Sequence, residues 1–68
     1  MTRTILPLAA MEKLMKKTGA KRISEDAKDE LRKVLEEFGE EVAEASLKLA
    51  KHAGRKTIKA EDIKLATR

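Results

Sequence analysis

Apolar residues fall along this chain in three runs of unequal length. In the first, Leu8, Met11, Leu14 and Met15 recur at three- and four-residue intervals, which places them on one face of a helix. Pro7 suits the entry to such a helix, and Lys16 and Lys17 suit the negative end of its dipole. Gly19 supplies a stop, so the pattern predicts a helix over about 7–18. In the second run Leu31, Leu35, Phe38, Val42, Ala45 and Leu49 step by four, three, four, three and four, a heptad seam widened by Val34. Ser24 precedes it as an N-cap with Glu25 and Asp26 in the first turn. Ala27 stands three residues on, so no reciprocal capping box is expected. No breaker intervenes before Gly54, which gives a helix over about 24–52. After an extended Thr57-Ile58, Ala60, Glu61 and Asp62 open a third helix, about 60–67, carrying Ile63, Leu65 and Ala66. The reading is an all-α chain, one domain over 1–68, ordered short helix, long helix, short helix.

Length then bears on assembly. A helix of about 29 residues is about 43 Å long, whereas a compact chain of this size has a radius of gyration of about 11 Å. Two short helices do not cover so long a seam, so the seam is expected to meet a second copy of itself in an intertwined homodimer. Gly39 costs about 1 kcal/mol relative to Ala inside the helix, and a backbone crossing closely there would explain it. A plain two-stranded coiled coil would need neither Gly39 nor the outer helices.

Composition changes the picture in one respect and charge in another. The 68 residues contain no cysteine, so neither a disulfide nor a thiolate metal site can support a core of marginal size. No apolar run spans a bilayer, and the apolar part of the first seven residues is short for a signal peptide, which points to a soluble intracellular protein with no membrane partner. Phe38 is the only aromatic residue, which disfavours a reader of stacked single-stranded bases. The net charge of +4 conceals two blocks. Residues 25 to 44 hold nine acids and three bases, a balance of −6, while the remainder carries +10. Two clusters without an acid supply most of the excess: Lys13, Lys16, Lys17, Lys21 and Arg22, then Lys48, Lys51, Arg55, Lys56 and Lys59. Charge alone leaves two readings open, a surface for a polyanion or an ordinary solvated helix surface.

One stretch is more specific. Leu49-Ala50-Lys51-His52-Ala53-Gly54-Arg55-Lys56-Thr57-Ile58-Lys59-Ala60-Glu61-Asp62-Ile63 closely resembles the second loop and third helix of archaeal histones. Gly19-Ala20-Lys21-Arg22-Ile23-Ser24 is similar to their first loop, and Pro7-Leu8-Ala9 to their N-terminal motif. The resemblance covers almost the whole chain without gaps. It implies the histone fold, an intertwined handshake homodimer with each first loop beside the partner's second loop, and duplex DNA bound around the outside. It further implies that Arg22 enters the minor groove, that Lys13, Lys56 and Thr57 meet phosphates, and that Ser24 opens a helix whose free N–H groups face one. Lys16 and Lys21, in the same basic cluster, join them as expected DNA-facing residues. Arg55 and Asp62 match a loop-shaping ion pair. Leu31, Leu35, Phe38, Val42 and Ala45 form the dimer seam, and Leu49, His52 and Asp62 match the surface where dimers join into tetramers or longer arrays. Gly19 matches a position that permits close stacking of superhelical turns, while Lys17, Glu40, Lys51 and Lys64 stand where relatives often carry the opposite charge. Other histones would be candidate heterodimer partners, and the location would be the cytoplasm, on the chromosome in the nucleoid.

Each position has a plainer reading. His52 is an ordinary helix-end residue, Arg55 and Asp62 an exposed pair worth under about 1 kcal/mol, and Lys16, Lys21 and Lys59 solvated charges. Met11 and Met15 are core residues. Glu36/Glu40 and Glu37/Glu41 read as exposed pairs of like charge rather than catalytic dyads. With one histidine and no cysteine there is no nucleophile–base pair, metal site or cofactor motif, so no enzyme is expected. The competing function is a histone-fold dimerisation subunit that recruits protein partners in transcription regulation; poor retention of Arg22, Lys56 and Thr57 would favour it, and all three are present.

Overall fold

The computed structural model describes residues 5–68, which contain three helices and no strand: α1 (Leu8–Lys17), α2 (Glu25–His52) and α3 (Ala60–Ala66). The helix limits lie within one residue of those expected from the pattern. Contacts divide the chain into two units, the first ending at Glu37 and the second beginning at Phe38, with α2 running through both.

In the first unit, α1 lies against the opening turns of α2. Met11 is buried, and Leu8, Met15, Ile23, Ala27, Leu31 and Leu35 are half-buried around it. The Ser24 hydroxyl accepts the Ala27 N–H at 3.1 Å, the capping bond expected of that residue. α1 closes with a six-to-one bond from the Ala20 N–H to the Met15 carbonyl and a bond from the Gly19 N–H to the Lys16 carbonyl. Gly19 sits at φ +100°, the left-handed conformation this motif requires.

The second unit is built from the rest of α2, a tight turn and α3. Ala50 and Ser46 are fully buried, and the Ser46 hydroxyl donates to the Val42 carbonyl at 2.7 Å, so its burial leaves no donor unpaired. α2 ends as α1 does: Arg55 N–H reaches the Ala50 carbonyl and Gly54 N–H the Lys51 carbonyl, both at 2.9 Å, with Gly54 at φ +75°. The same backbone motif therefore closes the helix before each basic loop.

The apolar residues buried among those described are only Met11 and Ala50. Val34 and Phe38 are more than half exposed, at 53% and 57%, and Leu14, Leu65, Ile58 and Ile63 are exposed as well. Within the first unit an open apolar groove of about 460 Å³ runs past Leu6, Met11, Leu14 and Leu35. A single copy thus leaves much of its apolar surface in water. At Gly39 no atom of this chain lies within 4 Å of where a Cβ would stand, so the close crossing expected there is not made within the chain.

Candidate nucleic-acid interface

The first basic cluster stands on the C-terminal half of α1 and the loop that follows it. Lys13, Lys16, Lys17, Lys21, Arg22 and Ser24 are all exposed. The glycine-capped end of α1 and the Ser24 cap of α2 fix the loop at both ends, so the backbone carrying Lys21 and Arg22 is short and anchored. With Ser24 engaged by Ala27, the N–H groups of Glu25 and Asp26, in the first turn of α2, have no carbonyl partner in the helix.

The second cluster begins with Lys48 and Lys51 on the last turns of α2 and continues with Arg55, Lys56 and Lys59 in the turn between α2 and α3. Lys56 and Thr57 are exposed, and Arg55 is turned inward. The guanidinium of Arg55 meets the Asp62 carboxylate through two parallel bonds, Nη1 to Oδ2 at 3.0 Å and Nη2 to Oδ1 at 2.9 Å. Nη1 also donates to the Thr57 carbonyl at 2.9 Å, and the Lys59 N–H donates to Asp62 Oδ2 at 2.8 Å. One arginine–carboxylate fork therefore ties the end of α2, the turn and the first turn of α3 together. Asp62 is only 2% exposed, which corrects the plain reading of an ordinary surface pair. Arg55 is first among the causes that hold the Asp62 carboxyl below the ordinary carboxylate range, followed by the Lys59 N–H. Asp62 also raises the pKa of Arg55.

Of the outer residues expected to join dimers, His52 is exposed on the last turn of α2 and Leu49 is half-buried. Asp62 spends both carboxylate oxygens inside its own unit.

Two arrangements have no counterpart in the sequence pattern. Glu36 is not the exposed partner of Glu40: it is 8% exposed, and its carboxylate accepts the N–H groups of Ile5 and, at 2.7 Å, Leu6. The segment before α1 is thereby tied to the middle of α2. Glu12 on α1 bridges Lys28 on α2 at 2.7 Å and Lys16 on its own helix at 3.1 Å. The i,i+4 spacing of Glu12 and Lys16 is a local signal, but the bridge to Lys28 depends on how α1 lies against α2 and has none.

A family model described as histone-like transcription factor (CBF/NF-Y) and archaeal histone matches residues 4–67. The chain belongs to this family. A subunit of the archaeal histone HAN1 of Thermococcus zilligii is 49% identical over 63 residues, covering 93% of this chain and 94% of that protein. Probable archaeal histone 3 of Methanocaldococcus jannaschii is 49% identical over 63 residues, with the same coverage of both chains. DNA-binding protein HmvA of the latter organism is 43% identical over 60 residues, which make up 88% of this chain and 62% of that protein. The short, long, short helix order is that of the histone fold. Histone-family proteins are structural and not enzymes. Among the described residues no cluster of acids and histidine has the makings of a metal site, and no helix is long and apolar enough to cross a membrane.

Proposed function

We propose that this chain is an archaeal-type histone that dimerises and binds, bends and wraps duplex DNA with little sequence preference, as part of the chromosome. The observation that carries this reading is the pair of anchored basic loops: each follows a glycine-capped helix end, and each presents cations outward. A loop held at both ends delivers Arg22 to a narrow minor groove with little ordering cost, and an arginine there responds to groove potential and bendability rather than base sequence. Lys13, Lys56 and Thr57, with Lys16 and Lys21 beside them, neutralise or hydrogen-bond phosphates, and Ser24 presents the free N–H groups of α2. Histone octamers hold DNA by backbone contact and deformability without base-specific contacts, and the same logic applies here.

The handshake dimer is part of the proposal. The exposed Val34 and Phe38 and the half-buried Leu31, Leu35, Val42 and Ala45 give a second copy an apolar seam to cover, while the first loop of each copy comes beside the second loop of its partner. Leu49 and His52 are the residues through which tetramers and longer arrays would form, the Arg55–Asp62 fork shaping that end of the helix. Other histones of the same family are candidate heterodimer partners.

The test compares two exposed charges. Arg22→Ala is expected to weaken binding to duplex DNA by about tenfold or more and to reduce wrapping, as loss of a groove arginine with its positioning contacts should. Glu41→Ala, in the acidic stretch of α2, is expected to change neither. Equal effects of the two substitutions in a gel-shift and DNA-cyclisation assay would reject the loop as the interface.

A further inference from the structure

Residues 1 to 24 contain six bases and a single acid, Glu12. That acid stands next to Lys13 on α1 and is not left to solvent. Its Oε2 lies 3.1 Å from the Nζ of Lys16, and its Oε1 lies 2.7 Å from the Nζ of Lys28. Lys28 belongs to the opening turns of α2, four residues past the Ser24 cap, and its side chain is only 13% exposed beneath the bridge. Glu25 adds a second, exposed carboxylate at 3.0 Å from the same Nζ. The hydrogen bond from Lys28 is foremost in lowering the Glu12 pKa, with that from Lys16 next, and Glu12 in turn is the first cause raising Lys28. One carboxylate is thus shared by two cations, Lys16 in the surface proposed to meet DNA and Lys28 on the opening turns of α2 beside it.

We propose that Glu12 is an internal competitor of the DNA backbone, holding Lys16 and Lys28 in the free protein and setting how much of their charge the phosphates receive. The proposal rests on the DNA-binding reading above. A phosphate and a carboxylate make the same demand on an ammonium group, and a lysine on its four-carbon stem can swing from one to the other without moving the helix. Each lysine held by Glu12 brings less net attraction to the complex, and a lysine already paired displaces fewer counterions from DNA when it binds. Glu12 therefore lowers both the affinity and the salt sensitivity of an otherwise uninterrupted basic surface. Such damping suits a protein that must coat DNA and still release it.

The experiment measures binding of the full chain to random-sequence duplex DNA over a range of salt, for wild type, Glu12→Gln, Lys28→Gln and Glu41→Gln. Glu12→Gln should tighten binding about three- to tenfold at low salt and steepen the slope against log[salt] by about one to two per protomer. Lys28→Gln should weaken binding, since it removes one cation and leaves Glu12 opposed by Lys16 alone. Glu41→Gln removes the same charge from the acidic part of α2 and should leave both quantities unchanged. A Glu12→Gln protein that melts with full helical content yet binds within twofold of wild type, at the same slope, overturns the inference. So does unchanged binding by Lys28→Gln, which remains informative if Glu12→Gln is unstable. Failure of the wild type itself to bind would instead overturn the functional reading on which this one stands.

Discussion

Asp62 shows how much one side chain organises here. Its two oxygens take the fork of Arg55 and the N–H of Lys59, so the geometry of the second loop depends on a carboxylate that must be ionised. Because its pKa in the folded chain is depressed below the ordinary 3.8, the folded state binds a proton less readily than the unfolded one. The stabilisation is therefore complete above that ordinary value and is lost as pH falls through the depressed one. Wild type should accordingly melt above Asp62→Asn at neutral pH, and the gap should begin to close only below about pH 4. A gap that shrinks between pH 8 and 6 would mean the fork is not the source. The spacing of Arg55 and Asp62 admits two readings in the sequence, and burial decides between them. Glu36 cannot be placed at all from its neighbours, because its partners are backbone N–H groups thirty residues away. Glu12 is half legible, through Lys16 but not through Lys28.

At the scale of the element, local pattern carries most of the information. The Ser24 cap, the two glycine-terminated helix ends and the uninterrupted heptads are local features, and each reappears in the structure at or within one residue of its expected position. Gly39 stands apart, since nothing in this chain lies close to it and the crossing expected there belongs to a second copy. An exposed glycine inside a helix costs about 1 kcal/mol against alanine. In the proposed dimer a partner backbone crosses at residue 39, so Gly39→Ala is expected to lower the midpoint of thermal unfolding despite a gain of up to about 1 kcal/mol per protomer in helix propensity. A rise in the midpoint would mean that no backbone crosses closely at residue 39.

At the scale of the whole molecule, the decisive fact is how little apolar surface one copy hides. With Met11 and Ala50 as the buried apolar residues among those described, and Phe38 57% exposed, folding and association are expected to be one transition. The melting temperature should then rise with protein concentration; a concentration-independent melt over a hundredfold range would indicate a stable monomer. The heptad seam, too long for the outer helices to cover, points to a second copy, but the pairing of loops between copies is written in no local pattern, since it arises where two chains meet. The central claim is that the paired loops hold duplex DNA by its backbone, and the most direct test is affinity for random-sequence duplex, several dimers long, as a function of salt. About ten phosphates neutralised per dimer would give a slope near −9 in log K against log[salt]. Tight binding at low salt with a slope of that order is the result expected. Weak binding at low salt by a folded dimer, or a slope near zero, would contradict the account and leave the histone fold to serve a protein partner.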